Sequence, residues 1–370
     1  MKYLFILGRN PELSIQELQS FFGNFKYEKV ENAILADINL PESGKKIISR
    51  LGGIIAIGEV LSSEKDFEKT LVNKILFSGS GNRLNYVLWE FIEKDSSFFE
   101  EVRQYLKSRF KEERFKATEK KVSSRLKLES GEEVVNLSSK KLIDEQYFVF
   151  KNFFGRIIET CDYKEIERLD MEKPVRREEL AISPRLAKIM INLSKIRKGE
   201  TLVDPFCGVG VIIQEALSQG LNVIGIDKDQ SAIEGLKKNI QWGKFSEENY
   251  SLINSDSSRV RIRKVKAVAT EPDLGEILKL MPNSAKSKEM LSNYENLMIK
   301  VLNNLKGSVE GRFVFTAPFI KTSMEGKPRR IGCDKEKILK GTGLRLAAGF
   351  PIPEFRENQI VGREIFVLER

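Results

Sequence analysis

Short apolar runs alternate with amphipathic stretches through the second half of the chain. Thr201–Val203 predicts a buried strand, the helical spacing of apolar positions over 211–217 predicts a helix, and Val223–Ile226 predicts a second strand. A helix from about Gln230 to Trp242 and a strand at Val265–Thr270 continue the alternation. Strands that alternate with helices in this way predict a parallel sheet covered by helices, which is an α/β fold.

Further helices and strands are predicted on either side of this alternation. A helix capped by Ser183 is predicted before the first strand, and a strongly amphipathic helix at Met290–Leu305 follows the last one. Arg312–Pro318 and Arg363–Leu368 predict strands, the second of them antiparallel at an edge of the sheet. Between them, Lys321–Arg330 predicts a basic loop that contains a glycine.

The first 160 residues have a different pattern, in which strands and helices follow no regular alternation. The chain opens as a strand and then a helix, for which Ser14 and Glu17 have the spacing of a capping box. Further strands are predicted at 33–38, 54–60, 84–91 and 145–158, with a helix from about Phe98. We therefore predict an α+β domain over 1–160, a linker of mixed charge and few apolar positions over 161–182, and the α/β domain over 183–370.

Composition excludes several kinds of chemistry. The chain has 370 residues, 41% hydrophobic and 31% charged, and no histidine. No His-based triad and no His-ligated metal can exist, and Cys161, Cys207 and Cys333 lie too far apart for a zinc site or a disulfide framework. We expect no metal and no membrane segment. No leader peptide is visible, so we expect a cytoplasmic location.

Positive charge is concentrated in residues 101–127. The whole chain carries a formal net charge of +9, and a basic excess favours polyanionic partners such as nucleic acid. The alternative is a solvated helix face that happens to be basic. The candidate RNA-binding side chains are Arg109, Arg114, Lys116, Lys120, Lys121 and Arg125.

A glycine-containing loop lies between the first predicted strand of the α/β domain and its helix. It carries Gly208 and Gly210, and the next strand ends at Asp227, which can accept hydrogen bonds from ribose hydroxyls. The loop lacks the G-x-G-x-x-G pattern and begins with an acid, Asp204, which suits a cationic amino-acid group better than a pyrophosphate. These features together favour S-adenosylmethionine. The alternative is a tight turn followed by an ordinary strand-end acid.

Acidic residues also follow the next two predicted strands. Asp256 comes after the strand at 250–253, where it either accepts from an adenine amine or is an ordinary turn acid. Glu271, Pro272 and Asp273 come directly after the strand that ends at Thr270. A proline there interrupts strand pairing and can turn carbonyl oxygens toward a ligand amine.

The chain resembles the THUMP-domain tRNA guanine-N2 methyltransferases of the branch that methylates the tRNA body near position 10. The resemblance covers most of the chain and is carried by MKYLFILGRNPELS, LGG, ISPRLAKIMINLS, DPFCGVGVIIQEAL and QIVGREIFVLE. It implies a Rossmann-like methyltransferase domain that uses S-adenosylmethionine, preceded by a THUMP-type domain that binds tRNA. The cofactor-binding residues that it implies or that the loop supplies are Asp204, Phe206, Gly208, Gly210, Asp227 and Asp256.

The catalytic motif departs from the family pattern of an acid or Asn, two prolines and an aromatic residue. Thr270-Glu271-Pro272 opens as related sequences do, but Asp273 stands where the second proline or the aromatic is expected. We take Glu271, Pro272 and Asp273 as the candidate catalytic residues. Two alternatives stay open: an RNA-binding protein that keeps the fold without catalysis, and an adenine-N6 DNA methyltransferase. The need for a small activating subunit also stays open.

Overall fold

The chain divides into two compact units. The computed structural model describes residues 1–40, 47–72, 74–79, 81–92, 97–120, 125–127, 133–135, 143–177, 182–276, 278–324 and 327–370. The first unit comprises Met1–Ile15 and Phe22–Arg168, and the second comprises Gln16–Phe21 and Leu169–Arg370.

The first unit is built on a mixed sheet. Its strands are β1 (Lys2–Leu7), β2 (Tyr27–Val30), β3 (Ala33–Asp37), β4 (Ile54–Ser63), β5 (Arg83–Phe91), β6 (Lys116–Glu119), β7 (Arg125–Lys127), β8 (Glu133–Val135), β9 (Glu145–Phe150) and β10 (Phe153–Thr160). The helices up to residue 172 are α1 (Pro11–Phe22), α2 (Phe67–Leu71), α3 (Ser97–Glu112) and α4 (Tyr163–Glu172). Eight strands pair in the order β2-β3-β1-β4-β10-β9-β5-β6, and β7 pairs with β8 separately. Within the eight, β5 is parallel to β9 and to β6, and the other pairings are antiparallel.

Aromatic side chains fill the core between this sheet and helices α2 and α3. Phe67 meets Phe98 and Phe154 edge to face, each at 5.4 Å between ring centroids. Tyr147 stacks on Phe154, and its hydroxyl donates to the main-chain oxygen of Leu76 at 2.7 Å. Burial of each such side chain contributes about 1.5–3 kcal/mol, so the packing of α3 onto the sheet stabilises this unit.

Helix α1 begins earlier than the sequence pattern indicated. Asn10 caps it, accepting a hydrogen bond from the Leu13 amide at 3.1 Å, and Pro11 occupies the first turn. The predicted Ser14–Glu17 capping box is therefore wrong, because Ser14 lies inside the helix and its hydroxyl donates to the main-chain oxygen of Asn10. Proline fits the first turn, where its missing N–H has no partner to lose.

The second unit contains the predicted parallel sheet. Its strands are β11 (Thr201–Asp204), β12 (Asn222–Asp227), β13 (Tyr250–Asn254), β14 (Ala267–Thr270), β15 (Phe313–Met324), β16 (Lys327–Ile331), β17 (Arg345–Leu346), β18 (Ile352–Glu354) and β19 (Val361–Glu369). They pair in the order β13-β12-β11-β14-β15-β19-β17, with β16 on β15 and β18 on β19. Strands β11 to β15 are parallel and β19 is antiparallel to β15. The α/β fold is thereby confirmed.

The remaining helices of this unit are α5 (Pro184–Leu193), α6 (Val211–Ser218), α7 (Gln230–Trp242), α8 (Ser284–Leu305) and α9 (Lys335–Thr342). The sequence pattern predicted the first four but not α9. Ser183 caps α5 as predicted, accepting from the Leu186 amide at 3.2 Å. Helix α8 begins six residues before the predicted start, because Asn283 caps it and accepts from the Lys286 amide.

Three elements differ from the prediction. The basic segment Lys321–Arg330 belongs largely to the antiparallel hairpin of β15 and β16, in which Lys321 pairs with Arg330. Strand β19 is antiparallel as predicted, but it lies between β15 and β17 and so is not an edge strand. The segment predicted as a linker contains helix α4. This segment was predicted as a loop because its polar composition does not distinguish a strand from a loop.

Candidate functional site

The direction of strand succession reverses between β11 and β14, and the candidate site lies at the carboxyl ends of these strands. From β11 the chain proceeds to β12 and β13 on one side of the sheet and to β14 and β15 on the other. Open α/β sheets bind ligands in the crevice formed at such a point. Asp204 ends β11, Asp227 ends β12, and Glu271 directly follows β14.

The two glycines of the loop after β11 are needed for different reasons. Gly208 has φ +50°, and a Cβ built on it would have no neighbouring heavy atom within 4 Å, so its α-carbon borders open space. Gly210 has φ +90°, and a Cβ there would lie 2.0 Å from Leu236 Cδ1. Gly210 therefore permits close packing of the loop on α7, whereas Gly208 leaves room for a ligand.

The carboxylate of Asp227 connects β12 to this loop. Its Oδ2 accepts from the Gly208 amide and its Oδ1 from the Asp229 amide, both at 2.9 Å. A carboxylate has about four lone-pair positions, so each oxygen can accept one further hydrogen bond. Asp227 is partly exposed beside the open space at Gly208. The arrangement fits a pair of adjacent hydroxyls such as those of a ribose.

A buried asparagine holds the loop from the other side. Asn239 on α7 is 0% exposed and donates to the main-chain oxygens of Val209 and Val175, each at 2.9 Å. Its Oδ1 accepts from the Val175 amide. The segment around Val175, inside the predicted linker, is therefore part of the wall behind the glycine loop.

Asp204 is a buried scaffold residue in this structure. It is 2% exposed, and its Oδ1 accepts from the Thr270 hydroxyl at 2.6 Å and from the Phe206 amide at 3.1 Å. Burial raises the pKa of Asp204 to about 7, and the nearby charges of Asp227 and Glu271 act in the same direction. Asp204 joins β11, β14 and the loop.

We expect Asp204→Asn to gain stability over the wild type as the pH rises from about 4 to about 7. Ionising a group whose folded-state pKa is raised destabilises the folded form, and asparagine keeps the acceptor oxygen without the titration. Over this pH range, the free energy of unfolding of Asp204→Asn should rise by about 4 kcal/mol relative to that of the wild type, at 1.36 kcal/mol per pKa unit. Urea denaturation at several pH values measures it. Asp204→Ala should lose about 1–3 kcal/mol by leaving the Thr270 hydroxyl without its acceptor, and a pH-independent difference for Asp204→Asn would contradict the assignment.

The loop after β13 is linked to the glycine loop through Ser257. Its buried hydroxyl donates to the main-chain oxygen of Pro205. Asp256 itself is exposed, and its Oδ1 accepts from the amide and hydroxyl of Ser258, which lower its pKa. Phe206 is partly buried and packs against the core under the sheet. Asp256 therefore lies near the glycine loop, because the adjacent Ser257 is hydrogen-bonded to it.

Glu271 is the residue with the most unusual surroundings. Its side chain is only 8% exposed. Oε1 accepts from Arg363 Nε of β19 and from the Thr316 hydroxyl of β15, the latter at 3.4 Å. Oε2 is buried and has no hydrogen-bond partner among the described residues. A buried carboxylate oxygen without a donor costs free energy, so a donor from outside the chain that reached it would stabilise the site.

The residues after Glu271 face elsewhere. Pro272 is buried, while Asp273 is exposed and accepts from the Gly275 amide at 2.9 Å in a local turn. Leu274 packs against the core of the unit. The structure therefore brings Glu271, Asp204 and Asp227 toward one edge of the sheet, and directs the Asp273 side chain into solvent.

Sequence reasoning missed Arg363 and Thr316. Arg363 lies 92 residues after Glu271, and Pro318, which it faces across β15 and β19, gives no hint of an ion pair. Only the pairing of β15 with β19 brings the guanidinium to the carboxylate. Arg363 lies in the segment QIVGREIFVLE that carries the family resemblance, but the sequence does not indicate that it contacts Glu271.

The candidate RNA-binding residues lie at the end of α3 and on β6. Arg114, Lys116 and Lys120 are exposed, and β6 is the last strand of its sheet. Arg109 forms an ion pair with Glu113 at 2.7 Å and is less free to reach a ligand. The Lys121 and Arg125 side chains lie outside the described residues. Lysines on an edge strand also prevent strand addition, so exposure alone does not demonstrate RNA contact.

Among the described residues, no group of three or more Cys, Asp or Glu side chains is arranged to hold a metal ion. In the same part of the chain, no helix has the length and apolar character needed to cross a membrane.

Comparisons with known proteins agree with the α/β site. Residues 174–298 match the family UPF0020, described as RMKL-like, methyltransferase domain. A tRNA (guanine(10)-N2)-dimethyltransferase of Methanothermobacter thermautotrophicus is 38% identical over 26% of this chain and 28% of its own length. One of Methanocaldococcus jannaschii is 24% identical over 84% of this chain and 89% of its own. The crystal structure of TrmN from Thermus thermophilus superposes with a TM-score of 0.51 at 15% identity, covering 100% of both chains, and supports the fold.

Proposed function

We propose that this chain, whose residues 174–298 match the RMKL-like methyltransferase domain family, methylates the exocyclic N2 amine of a guanine in tRNA. The names of the relatives from two archaea point to this reaction and to guanine 10. The observation that carries the proposal is the buried Glu271 Oε2, which lacks a donor at the edge of the sheet where ligands bind. An amine with two hydrogens is a donor of the required kind.

The cofactor of the proposal is S-adenosylmethionine, and the residues present fit it. When bound, it supplies a methyl group made electrophilic by a sulfonium. Asp227 would hold the ribose hydroxyls with its two remaining acceptor positions, and Gly208 leaves the adjoining space free. Asp256, exposed at the end of β13, would accept from the adenine amine. Asp204, which is 2% exposed, would act indirectly by fixing the loop that would border the amino-acid end.

Glu271 addresses the chemical difficulty of the target amine. The lone pair of a guanine N2 is delocalised into the ring, so the amine is a weak nucleophile. A carboxylate oxygen that accepts one of its hydrogens increases electron density on nitrogen, and it can receive the proton that leaves once the N–C bond forms. Glu271 Oε2 is buried and held in one direction by the bonds to Oε1. The base must leave its stack to reach it.

We also propose that the exposed basic residues near β6 contact tRNA phosphates. Replacing Arg114, Lys116 and Lys120 together by glutamine is expected to weaken tRNA binding. The plot of log affinity against log salt concentration should become less steep by about 0.7–0.9 for each lost phosphate contact. Filter binding at several salt concentrations measures both quantities.

A matched control removes the same charge elsewhere in the first unit. Lys26, Lys65 and Lys69 are also exposed, and their triple replacement by glutamine changes net charge equally. Equal losses of affinity for the two triple variants would mean that only the overall charge matters, and would contradict a local contact.

The test of the function is mass analysis of nucleosides from tRNA after incubation of the chain with S-adenosylmethionine. The expected products are N2-methylguanosine or N2,N2-dimethylguanosine, and nuclease mapping would locate them. Duplex DNA in a parallel reaction tests the adenine-N6 alternative, for which N6-methyladenine would appear instead. Activity of the chain alone would show that no activating subunit is required. Absence of transfer to any tRNA by cofactor-bound protein would reject the proposal.

A further inference from the structure

Arg363 is the cationic side chain that contacts Glu271 within the described part of the chain. The two residues meet through Arg363 Nε and Glu271 Oε1, and both are mostly buried, at 21% and 8% exposed. The other carboxylate oxygen, Oε2, has no partner in the described part of the chain. We propose that Arg363 is a positioning residue that fixes the Glu271 carboxylate through Oε1 and so directs Oε2 at the target amine, an inference that rests on the proposed function.

The strand pairing explains why an arginine at this position can fix the carboxylate. Arg363 pairs with Pro318 of β15, and paired residues of an antiparallel ladder point to the same face of the sheet. Residues two apart in one strand also share a face, so Thr316 lies on the same face as Pro318. Thr316 and Arg363 therefore approach Oε1 from neighbouring strands on one face of the sheet. With Oε1 held from two strands, the carboxyl group cannot exchange its oxygens by rotation without breaking both contacts. Oε2 consequently keeps one orientation.

The charges around Glu271 explain why a cation is needed. Asp204 of β11 lies close enough to interact electrostatically with Glu271, and so does Tyr294 of α8, whose pKa is raised mainly by burial. One neighbour is thus another carboxyl group, and the other is a buried phenol. Arg363 places a positive charge against these groups, so removing it would leave the mostly buried Glu271 carboxylate without the cation that it contacts.

The test compares Arg363→Met with Arg363→Lys in the full-length protein. For Arg363→Met we expect kcat for methyl transfer to tRNA to fall about ten- to hundredfold, as for the loss of one hydrogen bond to a charged group. KM for tRNA and the Kd of S-adenosylmethionine, measured by calorimetry, should stay near wild type. Arg363→Lys keeps the charge and can still donate to Oε1, so its loss in kcat should be smaller than that of Arg363→Met.

A matched control and the contrary outcomes make the test decisive. Arg345→Met changes an exposed arginine of β17, and its kinetics should equal those of the wild type. Unchanged kcat in Arg363→Met would overturn the inference, as would a loss confined to KM. If Arg363→Met does not fold, Arg363→Lys alone decides: a lower kcat with unchanged KM supports the inference, and a wild-type kcat or a loss confined to KM overturns it. Inactivity of the wild type would instead reject the proposed function itself.

Discussion

Replacement of Glu271 by glutamine is expected to slow methyl transfer to tRNA by about 10²- to 10⁴-fold, the range for loss of a positioned general base. Glutamine has the same shape, and its carbonyl oxygen would face Arg363 and Thr316, which both donate. Its NH₂ group would then occupy the place of Oε2. The glutamine NH₂ would then face the hydrogens of the guanine N2 amine, and two donors repel each other. Single-turnover transfer of labelled methyl measures the rate.

The same variant should bind S-adenosylmethionine normally, because no proposed cofactor contact is changed. Asp273→Asn is the matched control: it changes an exposed acid two residues away, and surface substitutions of this kind cost no more than about 0.5 kcal/mol. Its rate should stay within about twofold of the wild type. A Glu271→Gln variant as active as Asp273→Asn would remove Glu271 from the chemistry.

Substitutions at Gly208 and Gly210 are expected to separate cofactor binding from folding. Gly208→Asn should fold with a loss of about 1 kcal/mol, because asparagine tolerates positive φ and no atom lies within 4 Å of the added Cβ. Its side chain would enter the open space, so affinity for S-adenosylmethionine should fall at least about tenfold, or 1.4 kcal/mol. Gly210→Ala should instead lose about 1–3 kcal/mol of stability through its clash with Leu236. Calorimetry and urea denaturation distinguish the two effects.

Gly199 provides the control for this pair. It has φ +84°, also has no atom within 4 Å of a built Cβ, and lies in the turn before β11. Gly199→Asn therefore repeats the backbone strain of Gly208→Asn away from the proposed cofactor. Cofactor binding by Gly208→Asn that equals that of Gly199→Asn would show that the space beside Gly208 is not used by the ligand.

The parts of the site that are close in sequence were predictable. A buried strand, two glycines, a helix and a strand-end acid occupy residues 201–227, and their order alone determines that the Gly208 amide lies near Asp227. Helix α7 was predicted with its observed bounds because its apolar spacing is regular and Asp229 caps it. Local chemistry was sufficient in both cases.

The parts that depend on pairing between distant strands were not predictable. The Glu271–Arg363 contact arises because β14 and β19 both flank β15, and no periodicity indicates that neighbourhood. Asp273 resembled a site residue by its position, yet the local turn with Gly275 directs it to solvent. The β15–β16 hairpin was taken for a loop because its segment is basic, polar and contains a glycine.

The hydrogen bonds of Asn239 have a consequence for engineering the start of residues 169–370. Residues 169–173 belong to a helix and its end, whereas the main-chain amide and oxygen of Val175 both bond to the Asn239 side chain, which also donates to the main-chain oxygen of Val209. Extra residues spliced in near Arg168 would leave these bonds in place. The same insertion between Pro174 and Arg177 would strip a fully buried amide of its partners and loosen the loop from a distance.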